Sequence, residues 1–518
     1  MKPPVPCLWL ICTLVFLMSV VFLPAQDFGF GFDDEAEAQL KPAISFKASG
    51  EIAVELMPFV HDFSKKDAAG KPVISFWDIL SASGKLNLTL SSSNINAFAN
   101  FNLNGASIRE LWDASSKLGH IPMIMSEAFL QGYIGPVNIT AGLRKLTWGK
   151  ADSLGPLDVI NPLDYTDLTK MTDLQAIKIA RPLAHVSWNM GGFSKLEGVF
   201  IPNFTGLRFA SEGRWVSSQF NNFQEQVESG ITSQAMSKLD PALLSLFFPP
   251  PSPFQEKLTA KIKNYFEENT FTGPDTGGLE YFQAGLRFTS TVGPVDFGVQ
   301  YFYGNLFRPS FVIMDSIDAF FAELNSKIDP LAPSLDNVNP AAIFPQLHYN
   351  RYHLFGVDYA QVLFGFNLRA EFAFNLTKDL KGDDPKVQNP FIGWSFGFDR
   401  DLVWGINANV QCNETIRLFD KKIKHNKPLL DCEAGTNAVS TRFTMQLSKK
   451  FFRDELECKV IGIWGVEDKD CYIIPALAWT VRDLSVELSA GIFAGEKSGE
   501  LGQYWENSYI KLGLKYSF

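Results

Sequence analysis

Cysteine is scarce: the chain of 518 residues has 6, and Cys7 and Cys12 fall inside its first 25 residues. The remaining four, Cys412, Cys432, Cys458 and Cys471, are too few and too spread to build a disulfide scaffold, and no pair has metal-ligand spacing. Histidine is equally rare, with 6, and neither His185 with Ser187 nor His61 with Asp62 shows a readable triad arrangement, so a hydrolase finds little support. The glycine-rich stretches read as turns or inward positions and not as phosphate loops. Positive charge is in deficit, 46 Lys+Arg against 56 Asp+Glu for a net charge of −10 and a pI of 5.3, which argues against a nucleic-acid partner. No cofactor, metal or catalytic centre is expected. Beyond residue 23 no long apolar run occurs, so the rest of the chain crosses a membrane with strands or not at all.

What is present starts with a leader. Met1 to Ala25 has a basic beginning at Lys2, an apolar run from Leu8 to Leu23 and then Pro24 and Ala25, the pattern of a cleaved signal peptide, with a retained anchor as the alternative. The remainder, 26–518, reads as a single domain. It is rich in aromatics, with 46 Phe and 11 Trp, and its mean hydropathy is near zero. Both fit strands that alternate lipid-facing and lumen-facing residues between two aromatic girdles.

The alternation is explicit. At the end of the chain Ile510, Leu512, Leu514, Tyr516 and Phe518 oppose Lys511, Gly513, Lys515 and Ser517. The same period of two recurs in Ile44 to Leu56, where Phe46, Ile52 and Val54 oppose Lys47, Glu51 and Glu55, and in Phe364 to Phe374, where the phenylalanines oppose Asn367, Arg369 and Glu371. Strands are expected near 44–57, 83–91, 95–103, 126–134, 137–147, 177–190, 193–202, 279–289, 293–303, 350–359, 362–375, 389–398, 402–411, 438–449, 453–464, 471–481, 484–493 and 508–518. The expected fold is therefore an all-β, antiparallel transmembrane barrel of about eighteen strands (16–18), in which short turns such as Gly135-Pro136, Gly191-Gly192, Asp399 to Asp401 and Arg482-Asp483 alternate with long loops.

Two long insertions stand out, 203–278 and 304–349. The first shows helical periodicity in Gln234 to Phe248 and in Phe254 to Phe266, separated by a proline run. Its apolar cluster around Leu243, Phe247 and Phe248 has to be buried, in the barrel mouth, against other loops or against a partner. Cys412 and Cys432 flank one outer loop, so a loop disulfide is expected in an oxidising compartment.

Arg144 to Tyr165 reads R-K-L-T-W-G-K-A-D-S-L-G-P-L-D-V-I-N-P-L-D-Y. Trp148-Gly149, Asp152, Asp158, Asn161-Pro162 and Asp164 make this segment resemble the shared motif of the DUF1302-like family, uncharacterised outer-membrane barrels of Gram-negative bacteria. That resemblance implies a large barrel and no particular substrate. The terminal Tyr516 and Phe518 in turn resemble the signal read by the outer-membrane assembly machinery. On physical grounds Asn161-Pro162 forces an extended or turned chain. The segment is expected to fold inward as a latched constriction, with Asp152, Asp158 and Asp164 close to Arg144, Lys145 and Arg181. Arg287, Arg369, Glu371 and Arg442 are expected on the inner wall with Lys47, Lys85, Lys195, Lys511 and Lys515, giving a basic lean and a modest preference for anionic solutes.

The functional expectation is an outer-membrane channel for passive uptake or efflux of small solutes, amphipathic or anionic. Its partners would be outer-membrane lipid and lipopolysaccharide, the assembly machinery and the solute; the oligomeric state is open. The alternatives are a transporter of hydrophobic compounds, like the fatty-acid transporters of this membrane, and a surface adhesin displayed on a barrel.

Overall fold

The computed structural model describes residues 44–64, 79–104, 125–211, 213–248, 252–268, 273–344, 346–427 and 429–518. The expected signal peptide lies outside them. Eighteen antiparallel strands close into one barrel. They are β1 (Ser45–Leu56), β2 (Leu80–Ser91), β3 (Ile95–Asn104), β4 (Met125–Ile134), β5 (Val137–Arg144) and β6 (Arg181–Gly191). Next come β7 (Ser194–Ile201), β8 (Gln283–Val292), β9 (Val295–Asn305), β10 (Arg351–Leu363), β11 (Phe366–Thr377) and β12 (Phe391–Asp401). The circuit ends with β13 (Asn407–Arg417), β14 (Val439–Phe451), β15 (Leu456–Gly465), β16 (Asp470–Val481), β17 (Leu484–Gly495) and β18 (Tyr509–Ser517).

Each strand pairs with its neighbour in sequence, and β18 returns to β1 with Ile52 opposite Tyr516 and Val54 opposite Leu514, so the sheet closes on itself and the first and last strands are not left as free edges. The seam is drawn tight beyond the last strand residue. Phe518 and Gly50 exchange backbone hydrogen bonds, each at 2.9 Å, and a Cβ on Gly50 would sit 2.7 Å from the Phe518 ring.

The register places one apolar set on the outside. Phe355, Phe374 and Ile392 lie opposite one another on β10, β11 and β12, as do Val486, Leu514 and Val54 across the seam, and most of the exposed large hydrophobics belong to this outward set. Such a belt is stable in hydrocarbon and not in water. At the short-turn end, Phe193, Phe364, Trp404 and Phe452 sit at positive φ with their side chains exposed. A bulky residue seldom takes that conformation, and it sets each ring at the interface level where aromatics are favoured.

The eighteen strands are those expected, with shifted ends. The largest shift is at β13: Asp399 to Asp401 belong to β12, and the connection is 402–406. The expected strand 137–147 stops at Arg144, after which the chain turns inward.

The two insertions pack on each other. The first carries helix α1 (Ser218–Lys238), a short turn at Leu244–Phe247 and helix α2 (Pro253–Glu268); the second carries helix α3 (Ile313–Lys327). The first helix thus lies earlier than the expected 234–248, because Asp240-Pro241 ends it. Val227 and Ile231 of α1, Leu239 just beyond it, Leu258 and Ile262 of α2, and Ile317, Phe320 and Leu324 of α3 form one dry cluster. Polar ties run from this cap to other long loops: Ser218 N donates to Gln503 at 2.7 Å, Met314 N to the Leu429 carbonyl at 2.8 Å, and Lys386 pairs with Asp315 at 2.6 Å.

Candidate functional site: the inward loop and the lumen wall

The connection from β5 to β6, residues 145–180, is the feature that shapes the lumen. Its departure is fixed by Asn161. The Asn161 carbonyl oxygen accepts from Leu146 N at 2.8 Å, and its amide donates to the Ile179 carbonyl at 2.8 Å and to the Arg144 carbonyl at 3.4 Å. Ile179 N donates to the Pro162 carbonyl at 2.8 Å. One buried side chain therefore ties the outgoing and returning limbs together.

From there the loop runs along the inner wall. Trp148, Leu157 and Ile160 pack on Leu183, Val199, Phe302, Tyr352 and Leu354, the inward residues of β6, β7, β9 and β10. Gly285 leaves room for the Trp148 ring, since a Cβ there would come within 2.8 Å of it. This part of the wall is apolar on both sides because its inner face meets protein, whereas a water-filled lumen would demand polar side chains.

The loop tip then ends on β11, β13 and β14. The Glu371 carboxylate accepts from the backbone N–H groups of Lys150, of Ala151 at 2.7 Å and of Leu157 at 3.3 Å. Gln411 accepts from Asp152 N at 2.9 Å and Ser153 N at 3.0 Å, and Asn413 and Thr444 each meet the Ser153 hydroxyl at 3.3 Å. Gly149 and Gly155 flank the Glu371 carboxylate so closely that a Cβ on either would strike it, and Gly149 has φ +98°. The glycine of the Trp148-Gly149 motif is thus explained by close approach and by backbone conformation together.

The charged partners differ from those expected. Asp152 pairs with Arg369, which also holds Asp399 at 2.7 Å; Asp158 pairs with Lys178 at 2.5 Å; Asp164 pairs with Arg208 at 2.9 Å. Neither Arg144, Lys145 nor Arg181 receives any of the three aspartates. Arg144 donates to the Thr140 hydroxyl at 3.0 Å and lies over the Phe129 ring, while Arg181 is buried, donates to the Asn203 carbonyl and faces the Phe204 ring. Trp148, Arg181, Arg287 and Glu371 are therefore buried against protein and do not line an open passage; Arg287 pairs with Asp358 at 2.7 Å, which also holds Lys150 at 3.3 Å. Burial raises the Asp158 carboxyl above its ordinary value, even with Lys178 beside it.

The returning limb covers a second stretch of wall. Leu168 and Met171 pack with Ile463, Tyr472, Ile474, Phe493 and Tyr509, inward residues of β15 to β18. Leu163 and Asp164 also meet the first insertion, where Arg208 N donates to the Leu163 carbonyl at 3.0 Å. Arg442 on β14 is engaged by Glu500 of the β17–β18 loop, and that guanidinium holds the Glu500 carboxyl below its ordinary value.

What stays wet is the inner face of β17, β18, β1 and β2. Lys85 meets Glu51 at 2.7 Å, Lys515 meets Glu51 at 3.7 Å, and Lys511 lies 3.7 Å from Glu55 and 3.3 Å from Glu487. These charges balance one another, so the basic lean expected from the residue list is largely cancelled along this seam. The polar residues that sequence reasoning missed are Asp358, Asn409, Gln411 and Asn413. The signal for the last three was legible, since Asn407, Asn409, Gln411 and Asn413 alternate with Ala408, Val410 and Cys412.

The expected disulfide is absent: Cys412 and Cys432 are both free thiols. Cys412 lies in register with Phe396 and Phe443 on the lipid side of β13, and Cys432 is in the loop beyond, where burial pushes its thiol up to about 12. Among the described residues no group of histidine, cysteine and carboxylate side chains is suited to a metal ion.

No protein-family model matches this chain, and no curated protein matches it. Several solved outer-membrane proteins are similar in structure. OccK11 (OpdR) of Pseudomonas aeruginosa is 8% identical with a TM-score of 0.42, over 91% of this chain and 96% of that one. A BenF-like porin from Pseudomonas fluorescens Pf-5 is 8% identical at 0.42, over 91% and 98%. The outer membrane channel DcaP of Acinetobacter baumannii is 9% identical at 0.37, over 94% and 99%.

Proposed function

We propose that this protein is an outer-membrane channel through which small hydrophilic solutes pass passively. The observation that carries the reading is the division of the inner wall. Under the inward loop the wall is dry, with Phe302 and Leu354 at 0% exposure, while on the far side Lys85 and Lys515 keep 48% and 49% of their side-chain surface in solvent. A barrel that served only as a scaffold would have no need of a hydrated inner face beside a sealed one. A loop folded into the lumen and fastened at both limbs sets the size of what passes, and the charges left in water set its sign.

The insertions do not favour capture of hydrophobic compounds, because their apolar residues are consumed in a joint core of α1, α2 and α3. The test is reconstitution: purified protein in planar bilayers should give discrete current steps, and liposomes containing it should swell in small sugars. Protein that is folded by gel mobility yet passes neither ions nor sugars removes the channel reading.

A further inference from the structure

The apolar belt on the outside of the barrel is not uniform. On β8 to β11 the register sets the outward residues in rows, and one row holds Val299 beside Val357, with Phe288 beyond the first and Phe372 beyond the second. The next row toward the long loops brings the Tyr301 and Phe355 rings together at 5.3 Å. Two short β-branched side chains set among rings leave a trough of about 450 Å³ that opens outward. Val299 and Val357 lie half exposed on its floor.

At its long-loop end the trough meets polar and basic groups. The Tyr301 hydroxyl lies 2.8 Å from His353 Nδ1, and a phenol that donates there leaves Nε2 of this exposed ring as an outward donor. Two residues up the same face, Arg351 is held in place. Its guanidinium donates to the Phe282 and Glu280 carbonyls and lies 5.3 Å from the centre of the Phe282 ring and 4.9 Å from that of Tyr303. Glu280 meets it through that carbonyl only, its carboxylate lying against Gly278. Among the described residues the outward rows of β8 to β11 contain no carboxylate. Arg351 and His353 are the first and third residues of β10, at the long-loop end that faces the cell exterior in barrels of this kind. A basic group on the lipid face costs most at the midplane and little near the interface, so the two stand at headgroup level.

We propose that this face binds the phosphorylated glycolipid of the outer leaflet, lipopolysaccharide, with an acyl chain of its lipid A part laid in the trough and a phosphate received by Arg351 and His353. An apolar floor below a basic rim is complementary to an amphiphile with an anionic head, since chain burial and headgroup attraction then add. The guanidinium fork suits a phosphate oxygen pair, and the imidazole supplies a further donor. The site lies on the outside of the barrel and stands whether or not the barrel conducts.

The test is native mass spectrometry of the protein purified from membranes in mild detergent, with added lipid A that carries or lacks its phosphates. Wild type is compared with Arg351→Gln, with Val357→Trp, which fills the trough and leaves the rim intact, and with Val486→Trp, which puts the same ring on the outward face of β17; heat-modifiable gel mobility checks that each is folded. Wild type should bind the phosphorylated form about tenfold more tightly than the dephosphorylated one, the factor expected for one charge-assisted contact. Arg351→Gln should lose that preference, Val357→Trp should weaken binding of both forms, and Val486→Trp should match wild type. Equal binding by all four folded proteins overturns the site. So does a Val357→Trp that changes the oligomeric state and leaves lipid A binding unaltered, because that face would then belong to a second copy of the chain.

Discussion

Single residues decide where the inward loop lies. Glu371 is the anchor: its one carboxylate receives three loop N–H groups, and Gly149 and Gly155 permit that approach. Glu371→Ala would leave those donors without an acceptor, at about 1–3 kcal/mol each, and should release the tip so that mean single-channel conductance and its noise both rise. Glu371→Gln, which keeps an acceptor oxygen, should lie between. Gly155→Ala should resemble Glu371→Ala, because the added methyl displaces the same carboxylate; a silent Gly155→Ala would contradict the packing described. Asn161 was legible in the sequence as a turn-former ahead of proline. Glu371 was legible only as an inward carboxylate, since its partner at Lys150 lies far away in the chain and no local pattern joins them. The aspartates were matched to the wrong cations for the same reason. Charge complementarity is indifferent to which arginine answers, while register and loop path, which place Arg369, Lys178 and Arg208 within reach, are tertiary facts.

At the scale of elements, the period of two carried the strands because each outward residue must be apolar in lipid and most inward ones polar. It failed for the inner faces of β6, β7, β9 and β10, where Leu183, Val199, Phe302 and Leu354 face inward and meet protein. An apolar residue on both faces of a strand is the mark of a buried wall, and in a barrel it locates an inward element. The helical cap stands on its own core: Phe320 is buried among residues of all three helices, and Phe320→Ala should cost about 3–5 kcal/mol. Limited proteolysis should then cut within 218–344 while the barrel keeps its heat-modifiable gel mobility; loss of that mobility would show that cap and barrel fold as one unit. The β13–β14 loop offers a pH dependence. Partial burial opposes charge on His425, but Asp420 at 2.9 Å and the Ala434 carbonyl at 3.2 Å favour it, and the imidazole titrates above its ordinary value. A folded-state value raised above the unfolded one gives stability that is complete below the unfolded value of about 6.5 and is lost as pH rises through the folded value. Hydrogen exchange of 418–438, corrected for its intrinsic pH dependence, should therefore show weaker protection above that window, and His425→Gln should remove the difference.

For the whole molecule, closure and passage are separate properties. Closure depends on the β18–β1 seam, where Phe518 is bonded to Gly50 and its ring covers that glycine. Phe518→Ser should lower the amount of folded barrel recovered from membranes far more than Lys511→Ser, whose side chain sits in the balanced lumen network with Glu55 and Glu487. Equal recovery of the two would count against the seam as described. Passage depends on whether the space between the fastened loop and the wet wall of β17, β18, β1 and β2 runs continuously from one side of the membrane to the other. Single-channel recording of wild type beside Glu371→Ala in planar bilayers tests this most directly. The account predicts discrete conductance steps in wild type and larger, noisier steps in the variant; a folded wild-type protein that carries no current, or a variant whose steps are unchanged, would contradict it.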